Sequence, residues 1–358
     1  MSWLLAFLGF AVLIILHEAG HFVAAKAVGM RVERFSLFFP PLVWRRQGRG
    51  ETEYAIGAIP LGGYVKISGM NPHEDLPPEV AHRAYYRQPV WKRIVVISAG
   101  PAVNIAIAFV ILTGLVLANG VRTDGAKVDA VQPKLPAATI LQPGDRIVSV
   151  DGVTGDVKRL SDRIAAHRCE GPPKPGCRAA QPTRLVIERG AERFPVELHP
   201  VYDAEVKRTR LGISLSAVFK DASPGMAAKD AVARMADFTT GTVTTIAQIF
   251  DPAKRDQISG VVGSYEVTRQ AVAFAATRAL YILALISLSL AVVNLFPFLP
   301  LDGGHIFWAL AEKVRGRPIP FSVMERASVV GFMLVTILFV IGLTNDIGRL
   351  TGDGFSVR

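Results

Sequence analysis

Hydrophobic residues in this chain are gathered into four long runs separated by more polar segments. The runs extend from Trp3 to Ala25, Ile94 to Ala118, Ala279 to Phe298 and Val323 to Leu343. A helix needs about 20 apolar residues to cross the core of a bilayer, and each run has that length. The pattern therefore predicts a polytopic α-helical membrane protein with four transmembrane helices.

The first run has one alternative interpretation, a cleaved signal peptide. The tripeptide Ala25-Lys26-Ala27 resembles a cleavage site, but no basic residue precedes Lys26. A signal peptide normally begins with a basic region. The run also carries two histidines and a glutamate, so we expect it to be retained as a span.

A long polar segment separates the second run from the third. Its first part alternates apolar and polar residues, as in 146–150 and 184–188, and has one helical stretch around 158–167. Alternation of this kind predicts β-strands. The stretch 136–152, with its Gly-Asp-Arg-Ile and Asp-Gly sequences, resembles bacterial PDZ domains, so a PDZ domain is expected at 121–205. It would either receive extended peptides by strand addition or act as a spacer that restricts access to the membrane part.

Residues 206–270 form a predicted connector between this domain and the third span. Met226 to Phe250 has helical periodicity but too many Thr, Asp and Arg residues for a fifth span. A helix lying at the membrane interface fits this composition. A soluble connector helix is the alternative.

Composition limits the metal chemistry that the chain can support. Of its 358 residues only two are cysteines, Cys169 and Cys177. Neither a thiolate zinc cluster nor an iron–sulfur site can be built from two thiols, so a metal would need His and carboxylate ligands. In an oxidising compartment the two cysteines would pair and stiffen the loop between them; the alternative is two free thiols.

Charge predicts the orientation of the spans. The chain has 40 Lys and Arg residues against 30 Asp and Glu, a net charge of +10. Eleven of the basic residues lie in the connection 26–93, and Lys313, Arg315 and Arg317 lie in the third connection. Basic residues accumulate in cytoplasmic connections. The excess therefore places both connections in the cytoplasm and both termini with the PDZ domain outside, and it indicates no nucleic-acid partner.

The first span contains the sequence His17-Glu18-Ala19-Gly20-His21. Residues four apart share one face of a helix, so His17 and His21 can hold one zinc ion while Glu18 acts as general base. Ionisable residues within a membrane span are costly and persist mainly at functional sites. Two histidines that only hydrogen-bond between helices are the structural alternative.

A catalytic zinc site normally has a third protein ligand. The third span ends in Asn294-Leu-Phe-Pro297-Phe-Leu-Pro300-Leu-Asp302-Gly-Gly-His305, whose two prolines prevent a regular helix. Asp302 follows this break and is the expected third ligand. His305 is the competing candidate.

These motifs together resemble the site-2 protease family of intramembrane zinc metalloproteases, and in particular its regulator-of-sigma-E branch. Further matching stretches are Gly57-Ala-Ile-Pro-Leu-Gly62-Gly63-Tyr-Val-Lys-Ile-Ser-Gly69, the segment from Arg87 to Asn104 that contains Gly-Pro-Ala-Val-Asn, and Thr344 to Leu350. The similarity extends over nearly the whole chain. It implies a protease core formed by 1–120 and 271–358, and a membrane-associated β region at 31–70.

The resemblance implies a function and a set of residues. Zinc would be held by His17, His21 and Asp302, with Glu18 as the catalytic base. Asn294, Asn104, Gly62 and Gly63 would contact substrate, although interhelical hydrogen bonds for the two asparagines and a purely structural role for the β region remain open. The expected partners are the lipid bilayer and single-pass transmembrane proteins, such as anti-sigma factors already trimmed by another protease. The expected location is the bacterial inner membrane, in envelope stress signalling.

Two features depart from the family pattern. Members close to the sigma-E regulator carry two PDZ domains, whereas this chain has room for one clear copy. The family's Ser-Gly-Pro-x-Gly sequence is Ser259-Gly-Val-Val-Gly263 here. A PDZ scaffold with a vestigial metal site is the alternative function. A small transporter is weaker, because four spans without an internal repeat offer little to move around a central site.

Overall fold

The computed structural model describes residues 2–71, 73–204, 206–248 and 260–351, and within them two compact units. The first unit comprises residues 1–115 and 228–358, and the second comprises residues 116–227. The described helices are α1 (Ser2–Ala27), α2 (Pro78–Ala81), α3 (Val90–Asn119), α4 (Val157–Ala165), α5 (Pro224–Ala247), α6 (Val261–Phe274), α7 (Ala276–Asn294), α8 (Asp302–Arg315) and α9 (Phe321–Thr351). The described strands are β1 (Val32–Gln47), β2 (Glu53–Ile67), β3 (Val121–Val131), β4 (Arg146–Val150), β5 (Thr183–Arg189), β6 (Glu192–Leu198), β7 (Val201–Asp203), β8 (Arg208–Arg210) and β9 (Ile213–Lys220).

Four helices of the described chain are long and apolar enough to cross a membrane. They cover Trp3–Ala27, Val90–Asn119, Ala276–Asn294 and Ser322–Thr351, so a helix of sufficient length is present at each of the four predicted spans. The third helix ends at Asn294, four residues before the predicted limit at Phe298. Pro297 and Pro300 account for the difference, because the residue before a proline is disfavoured in the α conformation and proline itself donates no hydrogen bond.

The β region between α1 and α3 consists of β1 and β2, which fold so that the same residues pair twice. Arg34–Leu37 pairs on one side with residues 53–56 and on the other with residues 63–66. Residues 42–47 pair with 53–57 only. The register therefore makes 34–37 central and leaves 42–47 and 63–67 as the two edges within the described residues.

The core of the first unit joins this β region to the ends of two spans. The buried residues Met30, Val32, Ile67 and Val96 pack together with Ala25, Tyr85 and Ile97. Ile306 of α8 packs against the same cluster. The β region, α1, α3 and α8 thus share one hydrophobic core, which sets the distances between them.

The amphipathic helix predicted within the connector exists as α5. Its Ala231 is fully buried beside Leu112 of α3 and Ala284 of α7, and Met235 and Phe238 pack further along the same two helices. This side of α5 is therefore packed along two spans, unlike a free connector helix. Residues 249–259, the end of the predicted helix and the first residue of the Ser259–Gly263 sequence, lie outside the described residues.

The second unit is built on one antiparallel sheet with strand order β6-β5-β4-β3-β9. Its buried core includes Ile147, Leu185 and Ile187 of the sheet and Leu160 and Ile164 of α4. The expected domain ended at 205, but the sheet includes β9, and the unit continues to residue 227. The structure therefore divides the predicted connector 206–270 between the two units.

A disulfide joins Cys169 and Cys177 in the second unit, with their Cα atoms 6.1 Å apart. The closed loop pairs with the start of β7, because the Cys177 carbonyl accepts a hydrogen bond from the Tyr202 amide. The paired-cysteine alternative is thus the one present in the structure.

A buried ion pair ties β5 to the turn before β4. Arg189 donates to both carboxylate oxygens of Asp145 at 2.7 and 2.8 Å, and the Asp145 side chain is 1% exposed. The Arg189 guanidinium holds the pKa of Asp145 below its usual value of 3.8. A depressed pKa means that the carboxylate stabilises the fold above that value and stops doing so as the pH falls through the lowered pKa.

We expect Asp145→Asn to destabilise the second unit at neutral pH by about 1–2 kcal/mol, toward the lower part of the range for charged hydrogen bonds because water reaches Arg189. The deficit should shrink as the pH falls below 3.8. Hydrogen exchange of the β4 and β5 amides in the full-length protein, compared with wild type at each pH, measures it. Glu197→Gln, which breaks the exposed Arg184–Glu197 pair on the same sheet, should have no measurable effect; an equal loss in both variants would contradict the prediction.

Candidate metal centre

Two histidines of α1 face each other across one helical turn. His17 and His21 are 6% and 7% exposed, and their Nε2 atoms are 3.3 Å apart. Side chains four residues apart lie one above the other on a helix, which is why both rings reach the same point. The two predicted ligands are therefore buried side chains of an apolar helix, and their Nε2 atoms point to the same place.

Asp302 joins the two histidines from the far end of the sequence. Its Oδ2 lies 3.3 Å from Nε2 of His17 and 3.4 Å from Nε2 of His21. The chain leaves α7 at Asn294, turns through 295–301 and begins α8 at Asp302. The helix break predicted from the prolines thus delivers this carboxylate to the two imidazoles.

The two glycines after Asp302 allow α8 to begin so close to the preceding loop. A Cβ atom on Gly303 would lie 2.2 Å from the Leu295 carbonyl oxygen, and one on Gly304 would lie 2.4 Å from the Leu299 nitrogen. Side-chain carbons do not approach backbone atoms this closely. Both positions must be glycine for Asp302 to reach its place.

The three converging atoms have the spacing of zinc ligands. Zinc binds imidazole nitrogen and carboxylate oxygen at about 2.0–2.2 Å in tetrahedral geometry, which puts neighbouring ligand atoms roughly 3.3–3.5 Å apart. The three observed separations are 3.3, 3.3 and 3.4 Å. His17, His21 and Asp302 therefore fit three corners of a tetrahedron, and the fourth corner is left for water or substrate.

A backbone carbonyl of α3 sets the orientation and tautomer of His21. Nδ1 of His21 lies 2.8 Å from the Val96 carbonyl oxygen, which can only accept, so the hydrogen is on Nδ1. Nε2 then carries the free electron pair that a metal requires. Partners of this kind are the usual support of metal-binding histidines.

Asn104 of α3 plays the corresponding part for His17. Its side-chain amide lies 3.0 Å from Nδ1 of His17, and the residue is fully buried. As placed, the amide nitrogen faces the ring, and Asn104 Oδ1 is buried without a partner among the described residues. Exchanging the two amide atoms would turn the oxygen toward the ring; Nδ1–H would then donate to it, which leaves Nε2 free for a metal. Of the two predicted roles for Asn104, the structure shows the interhelical hydrogen bond.

Glycines bring α1 and α3 close enough for these contacts. A Cβ atom on Gly20 would lie 2.6 Å from the Ala99 carbonyl oxygen. One on Gly100 would lie 2.3 Å from Nε2 of His21 and 2.9 Å from Cε1 of His17. Gly100 thus leaves the space that the two imidazoles occupy, a role that its sequence alone does not indicate.

Glu18 lies beside the metal-binding group without belonging to it. The group of His, Cys, Asp and Glu side chains with converging ligand atoms consists, within the described residues, of His17, His21 and Asp302. The side chain of Glu18 contacts the β region instead, since a Cβ atom on Gly63 would lie 3.0 Å from its Cγ. Glu18 therefore lies next to an edge of the β region.

A comparison with known proteins shows the family of the chain. Peptidase family M50 matches residues 5–338 of the chain. The chain belongs to peptidase family M50.

Relatives of this M50 peptidase are similar over their whole lengths. A Nostoc protein provisionally named a zinc metalloprotease is 32% identical over 365 residues, which cover 98% of this chain and 97% of the relative. Zinc metalloprotease Rip1 of Mycobacterium bovis is 30% identical over 377 residues, covering 90% of this chain and 92% of that protein. Among solved structures, the PDZ domain of an SdrC-like protein from Listeria monocytogenes matches 26% of this chain and 90% of that domain, with 22% identity and a TM-score of 0.22.

The other predicted residues of this M50 peptidase occupy different places. His305, the competing ligand, is outside the converging group. Asn294 is the last residue of α7 and is partly buried. Gly62 faces Phe39, whose ring carbon Cε2 would lie 2.8 Å from an added Cβ atom. Of the two glycines predicted to bind substrate, Gly63 is the one beside Glu18.

We expect Gly100→Ala to expel the metal, because its methyl group would overlap His21. Bound zinc per chain should fall by about tenfold or more, as for other changes that displace a ligand's support. Gly114→Ala in the same helix is the matched control, since an added Cβ there meets nothing within 4 Å. Metal analysis of the two purified proteins decides the matter; full zinc occupancy in Gly100→Ala would contradict the assigned geometry.

Proposed function

We propose that this M50 peptidase is an intramembrane zinc endopeptidase that cleaves single-pass transmembrane proteins. The observation that carries the proposal is the triangle of His17, His21 and Asp302, with edges of 3.3–3.4 Å, whose two histidines lie on an apolar helix long enough to span a membrane. Glu18 follows His17 in the sequence and lies beside Gly63 on a strand edge. Ionisable groups are not retained within an apolar span without a function.

The residues divide the reaction between them. Zinc held by His17, His21 and Asp302 would lower the pKa of bound water toward neutrality and polarise the peptide carbonyl. Glu18 takes the proton from the attacking water and returns it to the leaving amine. The Val96 carbonyl holds His21 in the tautomer that leaves Nε2 free, and the Asn104 amide lies at hydrogen-bond distance from Nδ1 of His17. The chain itself thus supplies the base, the ligands and their orientation.

We expect Glu18→Gln to retain zinc and to lower kcat for a single-span substrate by about 10²- to 10⁴-fold, the usual contribution of general acid–base catalysis. Glutamine has the shape of glutamate but does not accept the proton. The assay is cleavage in detergent or vesicles together with metal analysis of the same samples. Undiminished cleavage would contradict the mechanism.

A His17→Ala, His21→Ala double variant is the companion to this test. It should lose both zinc and activity. A wild-type protein that carries no zinc, and from which nothing is lost in the double variant, would instead favour the alternative of a membrane-embedded scaffold with a vestigial metal site.

Substrate presentation follows from the β region. A helix hides its backbone, so a transmembrane substrate must unwind before its peptide bond can be attacked. Residues 63–67 pair on one side only within the described residues, and Gly63 at their start contacts Glu18. An unwound substrate can join this edge as an added strand. We propose that the edge 63–67 holds the substrate next to the base.

The proposed orientation puts the β region and the α8–α9 connection in the cytoplasm and the second unit in the periplasm of a bacterial inner membrane. Basic residues support this, with eleven in 26–93 and three at 313–317. The Cys169–Cys177 disulfide also supports it, because disulfides persist in oxidising compartments. The metal centre would then lie toward the cytoplasmic side.

We propose further that the second unit is a PDZ domain that controls access of substrate. Its five-stranded antiparallel sheet with α4 packed on it and the Gly144-to-Gly152 sequence support this. It would bind a peptide end or exclude untrimmed proteins. Pre-trimmed anti-sigma factors in envelope stress signalling are the proposed substrate class.

We expect a single-span substrate to be cut faster when glycine replaces leucine beside the cleavage position. Each glycine lowers the cost of unwinding by about 1 kcal/mol, which corresponds to roughly a fivefold rate increase. Leu→Gly at the opposite end of the substrate helix is the control and should leave the rate unchanged. Equal rates for all three substrates, measured with the same enzyme, would show that local unwinding does not limit cleavage.

A further inference from the structure

An ion pair outside the metal centre ties the helix that carries Asp302 to the helix that supports both histidines. Arg93 of α3 donates to Glu312 of α8 through both terminal nitrogens, at 2.9 and 2.6 Å. Two parallel bonds between a guanidinium and a carboxylate fix the relative orientation of the two groups as well as their distance. The pair joins residues 219 positions apart in the sequence.

The surroundings of Arg93 hold it in one place. The residue is 8% exposed, and its guanidinium lies over the ring of Tyr85 at 5.9 Å from the centroid. Tyr85 is itself buried, and its amide donates to the carbonyl of Ser68, one residue after the end of β2. The ion pair therefore connects α8 to α3 and, through Tyr85, to the strand that lies beside Glu18.

Other contacts leave α8 weakly constrained. Its buried residues are Gly303, Gly304 and Ala309, which have little or no side chain. The larger residues Phe307, Leu310 and Val314 are exposed. Ile306 reaches the common core, and His305 and Trp308 are also partly buried, but none of the three is tied to another helix by a hydrogen bond or ion pair among the described residues.

Because of where Arg93 and Glu312 lie on their helices, the ion pair between them affects the position of Asp302. Glu312 lies ten residues after Asp302, about 15 Å along the helix axis, and Arg93 lies three residues before Val96. A small swing of α8 about its two glycines would therefore move Asp302 against the histidines. Metal ligands tolerate displacements of only about 0.2 Å.

We infer that Arg93 and Glu312 are positioning residues that hold Asp302 at metal-binding distance from His17 and His21. The inference rests on the proposed function, because it assigns the pair a part in the same metal centre. Neither residue touches the metal-binding atoms or the substrate edge.

The test uses Glu312→Gln and Arg93→Lys in the full-length protein. A matched control exists in Glu51→Gln, because Arg83 and Glu51 form an ion pair of the same two-bond geometry, at 3.0 and 2.6 Å, that does not involve α8. Three properties are measured: zinc retained against increasing chelator, kcat and KM for a single-span substrate, and hydrogen exchange of the α8 amides in zinc-free protein.

Glu312→Gln should lose zinc at a chelator concentration about 10- to 100-fold lower than wild type, the range found when support of a metal ligand is removed. Its kcat should fall, with KM changed by less than about twofold, because the substrate edge is intact. Arg93→Lys keeps the charge and should retain more zinc than Glu312→Gln. Glu51→Gln should behave as wild type.

Unchanged chelator sensitivity in Glu312→Gln would overturn the inference, and so would an equal loss in Glu51→Gln, which would indicate general destabilisation. If wild-type protein bound no zinc, the proposed function would fail, and hydrogen exchange would still decide the inference. Faster exchange confined to α8 in Glu312→Gln would support a positioning role for the pair, whereas unchanged exchange would refute it.

Discussion

The high cost of polar groups within an apolar helix governs the arrangement of this protein. His17 and His21 lie in a span where each ring nitrogen needs either a hydrogen-bond partner or a metal. The Nδ1 atoms are satisfied by Val96 and Asn104 of α3, and the Nε2 atoms converge on Asp302. The polar residues of α1, α3 and α8 thus meet at one place, and these helices must pack in an arrangement that brings them together.

That arrangement is possible because backbones approach closely at glycine. Without a Cβ at Gly20, α1 can press against the Ala99 carbonyl, and without one at Gly100 the imidazoles have room beside α3. Gly303 likewise allows a close approach, here between the start of α8 and the loop after α7. Association of membrane helices depends on such small residues, since lipid is as apolar as a helix surface and gives no hydrophobic drive.

Much of this could be predicted from the sequence, because the signals are local. Hydropathy located the four helices long enough to span a membrane, and the spacing of His17 and His21 predicted that their rings converge on one side of α1. Pro297 and Pro300 indicated the break that frees Asp302, although the helix ends earlier than the hydrophobic run. The limit of the second unit was misplaced, because β9 pairs with β3 across about 90 residues of sequence and no local pattern reports that pairing.

Long-range contacts account for the rest. Asn104 and Gly100 are four residues apart and so share one face of α3, a spacing that could have linked Asn104 to the histidine rings. The pairing of Arg93 with Glu312 has no such signal, because its residues belong to separate helices. Their charges suggested only which connections lie in the cytoplasm, whereas the structure shows that they also bind two halves of the membrane unit together.

The metal centre itself is divided between these two halves. The N-terminal half supplies His17, His21 and their partners on α3, and the C-terminal half supplies Asp302 at the start of a weakly buried helix. A metal that binds all three ligands joins the halves, so part of its binding energy goes into holding α8 in place. If the Arg93–Glu312 ion pair already holds α8 in place, metal binding has less of α8 to order. The affinity of the site for the metal is then higher. A site inside a membrane gains from this preorganisation, because its carboxylate would otherwise face an apolar environment without a partner.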